Sequence, residues 1–255
     1  MASFTPLARV PAYVELAETI IGMILEGTLR PGDFLPVEKE LAAQFEVNRS
    51  TLREGLRALE ESGLVARKGK RLEVQTPPNE ALANVIGRAF VLHQVSFDDI
   101  YVLTSALLPI AAEFAAKNAT KDHIKKLGEN LDETTKYLDD PEELAKVDVD
   151  FLHLIAEASG NKALWISLEP LSMIFYAGFF SILADKPEAN HRLLESHRKI
   201  FDAICAGNAD EARKWTEKHA RDFQRSFDQS SDGLNSPISK SSRVLAAFLK
   251  KSPER

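Results

Sequence analysis

Leu35-Pro-Val-Glu-Lys-Glu-Leu-Ala-Ala-Gln-Phe-Glu-Val-Asn-Arg-Ser-Thr-Leu-Arg-Glu-Gly-Leu-Arg-Ala-Leu-Glu-Glu-Ser-Gly-Leu64 reads as two helices joined by a tight turn, the second studded with arginines. The first runs from about Glu38 to Phe45, with Leu41, Ala42 and Phe45 on one face. Asn48 suits the N-cap of the second. Val47 before the cap and Leu52 after it form a hydrophobic staple that sets the angle between the helices. Leu52, Leu56 and Leu59 make a stripe to be buried; the opposite side carries Ser50, Arg53 and Arg57, with Arg49 on its flank. Arginines on the open face of a second helix suit phosphate and guanine contacts in a DNA major groove. A solvated amphipathic helix with ordinary surface arginines is the alternative that this stretch alone leaves open.

The next residues weigh against that alternative. Gly63 stands where a helix ends on a glycine. Leu64 to Gln75 then reads as a two-stranded hairpin, a wing, with a basic tip at Arg67-Lys68-Gly69-Lys70-Arg71. From Arg49 to Arg71 there are seven Lys/Arg against three Asp/Glu, a local +4 on a chain of net charge −6. A basic island in an acidic protein marks a local anionic partner.

At these residues the chain resembles the GntR family of bacterial transcription regulators. Gly27-Thr-Leu-Arg-Pro-Gly-Asp-Phe-Leu-Pro36 carries the resemblance, followed by Glu38, Leu41-Ala42, Val47, Arg49, Leu52-Arg53-Glu54, Leu56, Leu59 and Gly63-Leu64. It implies DNA contacts from Arg49 and Arg53, with Thr51 and Lys39 beside them and Gly69 at the wing tip. Ser50, Arg57, Lys70 and Arg71 complete the expected DNA-binding set. Two departures stand out: Val37 occupies a place where the family often has Ser, and the wing tip Lys-Gly-Lys-Arg leans on charge more than on fit.

At 255 residues and 44% hydrophobic content, two domains with separate cores are expected. The acidic surplus excludes a general nucleic-acid coat, since it falls as −1 over residues 1–78 and −5 over 79–255. The one cysteine, Cys205, excludes an intramolecular disulfide and fits a reducing cytoplasm; its setting, Ile200-Phe-Asp-Ala-Ile-Cys-Ala, predicts a buried, inert thiol. No signal peptide is visible, no apolar run approaches the roughly 18 residues of a membrane span, and no membrane partner is expected.

The expected fold is mainly α: a winged helix-turn-helix with a small β-hairpin over residues 1–75, a 76–79 linker stiffened by two prolines, an all-α antiparallel bundle over 80–229, and a 230–255 tail. Residues 1–9 read as a mobile arm. Pro11 suits a first helical turn, and Tyr13, Leu16, Ala17, Ile20, Ile21, Ile24 and Leu25 give that helix its stripe. Beyond the linker, breaks at Ser96, Asn118–Thr120, Asp139–Pro141, Gly160-Asn161, Pro187 and Gly207-Asn208 delimit helices at 80–93, 98–117, 121–138, 141–158, 162–184, 188–206 and 209–229. Residues 230–236 read as disordered, and 243–251 either as a short amphipathic helix or as a frayed tail.

Asp148, Phe151, Ala156-Glu-Ala-Ser-Gly-Asn161 and Glu195-Ser-His-Arg-Lys-Ile-Phe-Asp-Ala-Ile204 resemble the FCD effector domain of the FadR subfamily. Asp148 sits mid-way along an apolar face with Leu144, Val147, Phe151 and Ile155, and a buried carboxylate needs a partner. His197 and His219 share apolar stripes on two later helices. Each alone reads as a satisfied core residue; one Asp and two His pointing inward from three helices make a ligand set for zinc, nickel or manganese. The resemblance implies a third histidine where Leu152 stands, so the set is incomplete, and His153 points to the polar side. Two readings stay open: a weakly held metal completed by water or an organic ligand, or no metal, the second being favoured.

Thr104 and Leu108 replace an Arg and a Glu of many family members, which removes a carboxylate clamp. Helix 162–184 is rich in rings, among them Trp165, Phe175, Tyr176, Phe179 and Phe180, most of them expected in the core. The expected effector-binding set is Thr104, Asp148, Leu152, Asn161, Tyr176, Phe179, His197 and His219, with a small organic effector larger and flatter than a simple hydroxy acid. The chain thus reads as a homodimeric, cytoplasmic transcription regulator, an effector-responsive repressor of a catabolic or metabolic operon that binds a short palindromic operator. Two rivals are weighed against it: a metal-dependent hydrolase or lyase built on Asp148, His197 and His219, and a ligand-free architectural DNA binder.

Overall fold

The computed structural model describes residues 10–77, 79–169, 171–172, 187–228 and 238. The chain divides into two compact units, Met1–Ala81 and Leu82–Arg255.

The first unit runs α1 (Ala12–Leu25), α2 (Glu38–Gln44), α3 (Arg49–Glu61), β1 (Val65–Lys68) and β2 (Arg71–Val74). Pro11 lies at the N-cap of α1, one place before the expected first turn. Asn48 caps α3 as expected, its Oδ1 accepting from Thr51 N. The connection between α2 and α3 turns on Glu46, at φ +52°, a left-handed conformation that non-glycine residues rarely adopt. Leu52, Leu56 and Leu59 join Leu16, Ile20, Leu35, Leu41, Val65, Leu72 and Val74 in one core. Gly55 packs α3 directly onto α1: a Cβ there would stand 2.9 Å from both Leu16 Cδ2 and Tyr13 O.

β1 and β2 pair antiparallel from Val65↔Val74 to Lys68↔Arg71 around Gly69, whose φ of +64° suits a tight turn. Gly32–Leu35 adds another rung beside β2, with a bridge between Phe34 and Glu73. Gly32 N donates to Val74 O, Val74 N to Asp33 O and Leu35 N to Leu72 O. The wing is thereby anchored to the strand-like lead into α2.

The second unit is a helical bundle of α4 (Asn79–Leu92), α5 (Phe97–Asn118), α6 (Lys121–Lys136), α7 (Pro141–Ala158), α8 (162–169, with 171 and 172 also helical), α9 (Pro187–Cys205) and α10 (Ala209–Asp228). Helix α4 starts at Asn79, the last residue of the expected linker. Ser96 with Asp99, and Thr120 with His123, form reciprocal capping boxes on α5 and α6. Asp140 Oδ1 accepts from Glu142 N and Glu143 N and starts α7 just before Pro141. Helix α5 packs on α7, α9 and α10, and α6 on α7 and α9.

Two expectations are corrected. Helix α5 is 22 residues long and apolar enough to cross a membrane, by length and composition. Thr104 and Ser105 hide this in the sequence, and Ala111, Ala112 and Ala115 are wholly buried in the bundle core, which is what a central helix needs. Cys205, expected buried, is exposed at the last residue of α9, outside the Ile200 and Ile204 stripe. Partial burial, with Asp202 nearby, still pushes its thiol pKa upward, so it stays protonated. Tyr176, Phe179 and the rest of 173–184, the arm 1–9, and the segments 230–236 and 243–251 lie outside the described residues. Ile238 is described: it is buried, and its N–H donates to Val95 O.

Candidate functional site

The open face of α3 carries Arg49, Ser50, Arg53 and Arg57, all exposed, opposite the buried leucines; Thr51 is half-buried. Lys39 on α2 and Gly69, Lys70 and Arg71 on the wing are exposed as well. Several of these groups already have work inside the fold. The Ser50 hydroxyl donates to the capping Asn48 Oδ1 at 2.6 Å. Arg57 Nε donates to Glu61 Oε1 at 3.1 Å, and Arg53 Nε to Glu38 Oε2 at 3.1 Å. Arg71 is tied down: its Nε donates to Leu35 O and its Nη2 to Phe34 O, with the guanidinium over the Phe34 ring. It is a wing anchor first, which tempers the expectation that it is simply a DNA contact. Val37, at the N-cap of α2, makes no side-chain cap.

In the second unit Asp148 (α7), His197 (α9) and His219 (α10) come together, each offering a ligand atom within 4.8 Å of the others. Asp148 and His197 are fully buried and His219 nearly so. His197 Nε2 lies 2.9 Å from Asp148 Oδ1, and His219 Nε2 lies 3.8 Å from it. Neither Asp148 oxygen nor either His197 nitrogen has a hydrogen bond; the nearest imidazole N–H direction misses the carboxylate. His197 instead stacks on Phe151, with ring centroids 3.8 Å apart. Burial pushes the Asp148 pKa up to about 7, and burial pushes His197 down to about 3 and His219 down to about 4. Near neutral pH both imidazoles are uncharged, so the Asp148–His197 approach is not an ion pair. Neutral imidazoles beside a carboxyl group whose desolvation only a cation would offset suit a divalent ion.

Leu152, one turn after Asp148, lines two small adjoining clefts. Thr104 and Leu108 line both as well; His219, Tyr101 and Phe223 belong to the larger and His153, Leu168 and Ser172 to the smaller. Thr104 Oγ1 is buried without a hydrogen bond. Among the described residues no Lys or Arg lines either cleft. Asn161 does not join this group. It caps α8, accepting from Ala163 N and Leu164 N, and lies by a different, surface pocket with Asn118 and Ser159. His153 is half-buried and pairs with Glu169, while Trp165 Nε1 donates to His153 Nε2 at 3.3 Å. Its position one residue past Leu152 gave no sign of that pairing, because Glu169 and Trp165 are on another helix.

Residues 12–71 match the gntR family of bacterial regulatory proteins, and residues 99–222 match the FCD domain. The chain is 28% identical over 229 residues to the HTH-type transcriptional repressor NanR of Klebsiella aerogenes, covering 85% of each chain. It is 28% identical over 227 residues to NanR of Escherichia coli K12, covering 84% of this chain and 83% of that one. The solved structure of Streptococcus agalactiae GntR is similar at a TM-score of 0.61 and 26% identity, over 84% of this chain and 99% of that chain. These relatives are regulators rather than enzymes, which sets the hydrolase or lyase reading aside. A GntR-type helix-turn-helix followed by an FCD domain makes this chain a DNA-binding transcription regulator.

Proposed function

We propose that the protein is a repressor of the FadR subfamily that acts in the cytoplasm as a homodimer. Two winged units, each within residues 1–75, meet the half-sites of a short palindromic operator, and the 80–229 bundle supplies dimerisation and effector binding. The repressors to which the chain is similar support the direction of control. The observation that carries the DNA reading is the exposed row Arg49, Arg53 and Arg57 directly behind the buried Leu52, Leu56 and Leu59. Arg49 and Arg53 contact base edges and phosphates; Ser50, Thr51, Lys39, Arg57, Gly69 and Lys70 add backbone contacts.

The effector occupies the clefts beside Thr104 and Leu152, and its presence lowers operator affinity by linkage. The rings and aliphatic groups that line these clefts, with no fixed cation among the described lining residues, favour a flat, mostly apolar organic molecule over a small hydroxy acid. Asp148, His197 and His219 would hold a divalent ion if one is bound. Such an ion would supply a fixed positive charge for an anionic group on the effector. Leu152 offers no fourth donor and His197 has no hydrogen-bonded outer partner, so binding through these residues is weak.

The test is selection of duplexes from a randomised library by the full-length protein, followed by footprinting at fixed salt. A two-fold-related pair of half-sites is the expected product. Enrichment of no sequence, with equal binding to all duplexes, would instead identify an architectural DNA binder.

A further inference from the structure

The carboxylate of Glu38, in the first turn of α2, stands between two arginines from two other elements. On one side Arg53 of α3 donates its Nε to Glu38 Oε2 at 3.1 Å. On the other, Arg67 Nη1 of β1 lies 4.0 Å from Glu38 Oε1, while Arg67 Nε reaches Glu60 Oε1 on α3 at 3.3 Å. One acidic side chain thus faces the recognition helix and the wing together.

We infer that Glu38 is a positioning residue for base reading: it holds the Arg53 guanidinium by its Nε edge and leaves the two-nitrogen Nη edge turned toward DNA. The chemistry of the fork makes this division useful. Guanine presents O6 and N7 side by side, and a guanidinium reads them with two parallel donors. A long arginine side chain that is free to swing loses rotamer entropy when it binds and can settle on any nearby phosphate. A carboxylate at Nε removes part of that freedom beforehand and opposes the phosphate alternative by charge. Among the described residues no group takes the Nη edge of Arg53, and its side chain is 71% exposed.

As a source of stability the contact counts for little, because exposed ion pairs contribute weakly. Its effect is on which duplex is preferred. The inference rests on the reading of the α3 face given above.

The experiment measures binding of the full-length protein to two duplexes at one salt concentration. One is the site that the wild-type protein enriches from a randomised library, and the other is a scrambled duplex of equal length. Glu38→Gln keeps the shape and removes the charge. Affinity for the enriched site should fall about 10-fold, while affinity for the scrambled duplex stays level or rises, since one repelling charge is gone. Glu38→Asp should recover part of the loss. On an Arg53→Ala background, Glu38→Gln should leave the specificity ratio where Arg53→Ala put it. An unchanged ratio for Glu38→Gln, or an equal further drop on the Arg53→Ala background, overturns the inference. So does an equal loss on both duplexes with a lowered melting temperature, which would make Glu38 a helix-start residue only. A wild-type protein that enriches no site would overturn the reading of the α3 face as well, and so separates the two failures.

Discussion

Asp148 Oδ1 and His197 Nε2 stand 2.9 Å apart, fully buried, and share no hydrogen bond. Buried polar groups are nearly always paired, and leaving one unpaired costs about 1–3 kcal/mol. With His219 they form a cluster whose ligand atoms all lie within 4.8 Å of one another, a donor set that suits a divalent ion as an occupant.

If the occupant is a metal ion, the missing donor is at position 152. Leu152 follows Asp148 by one turn on the same buried face, so Leu152→His places an imidazole beside the other three groups. Zinc affinity, read by competition with a chelator of known affinity, should rise by about 10–100-fold. Equal zinc affinity in the variant and the parent would show that the three residues do not form a coordination site.

Thr104 has a buried hydroxyl with no partner in the fold. Thr104→Val removes that group at nearly constant shape. The ligand-free protein should gain about 1 kcal/mol or less in stability, while effector response weakens. A drop in melting temperature would mean that the hydroxyl is satisfied by a bound water instead.

Lys70 and Arg71 are neighbours with different duties. Lys70→Ala should reduce the slope of log affinity against log salt by about 1, with the wing intact. Arg71→Ala removes the donors to Phe34 O and Leu35 O, so amide exchange in β2 should quicken even without DNA. Identical behaviour of the two variants, with no change in exchange, would place Arg71 among simple phosphate contacts.

Gly55→Ala should destabilise the winged unit by about 1–3 kcal/mol. The added methyl meets Tyr13 O, a backbone atom that moves only if α1 moves. Faster exchange of α1 and α3 amides in the full chain would report it; unchanged protection would show that the two helices separate without cost.

His153 carries a pH signature. Its hydrogen bond to Glu169 raises its pKa above the usual 6.5. A raised folded pKa means that the pairing contributes fully below the unfolded value and is lost as pH rises through the folded one. The melting temperature of the wild type should therefore exceed that of His153→Gln most at mildly acidic pH, and the gap should close on the alkaline side. A gap that widens with pH would reverse the assignment.

Much of this molecule is written in local signals. The Leu52, Leu56 and Leu59 stripe, the Asn48 cap and Gly63 mark α3 because helix periodicity and capping act over a few residues. Asp140 before Pro141 marks the start of α7 for the same reason. The inward turn of Asp148, His197 and His219 was legible because a polar residue on an apolar stripe has nowhere else to go. The remaining features depend on partners far along the chain. The rung from Gly32–Leu35 onto β2 has no alternation to announce it. The brace from Glu38 to Arg53 and Arg67, and the pairing of His153 with Glu169, join side chains whose spacing says nothing about contact. Asn161, expected with the effector-binding set, caps α8, a task that its place in the resemblance did not announce.

Leu152 borders both clefts, so one side chain shapes the walls of both. A smaller residue there would widen both clefts. A histidine would trade that wall for a metal donor. Neither change touches the arginine-bearing face of α3, which lies in the other unit. A change at Leu152 would therefore alter the lining of both clefts without touching a residue of α2, α3 or the wing.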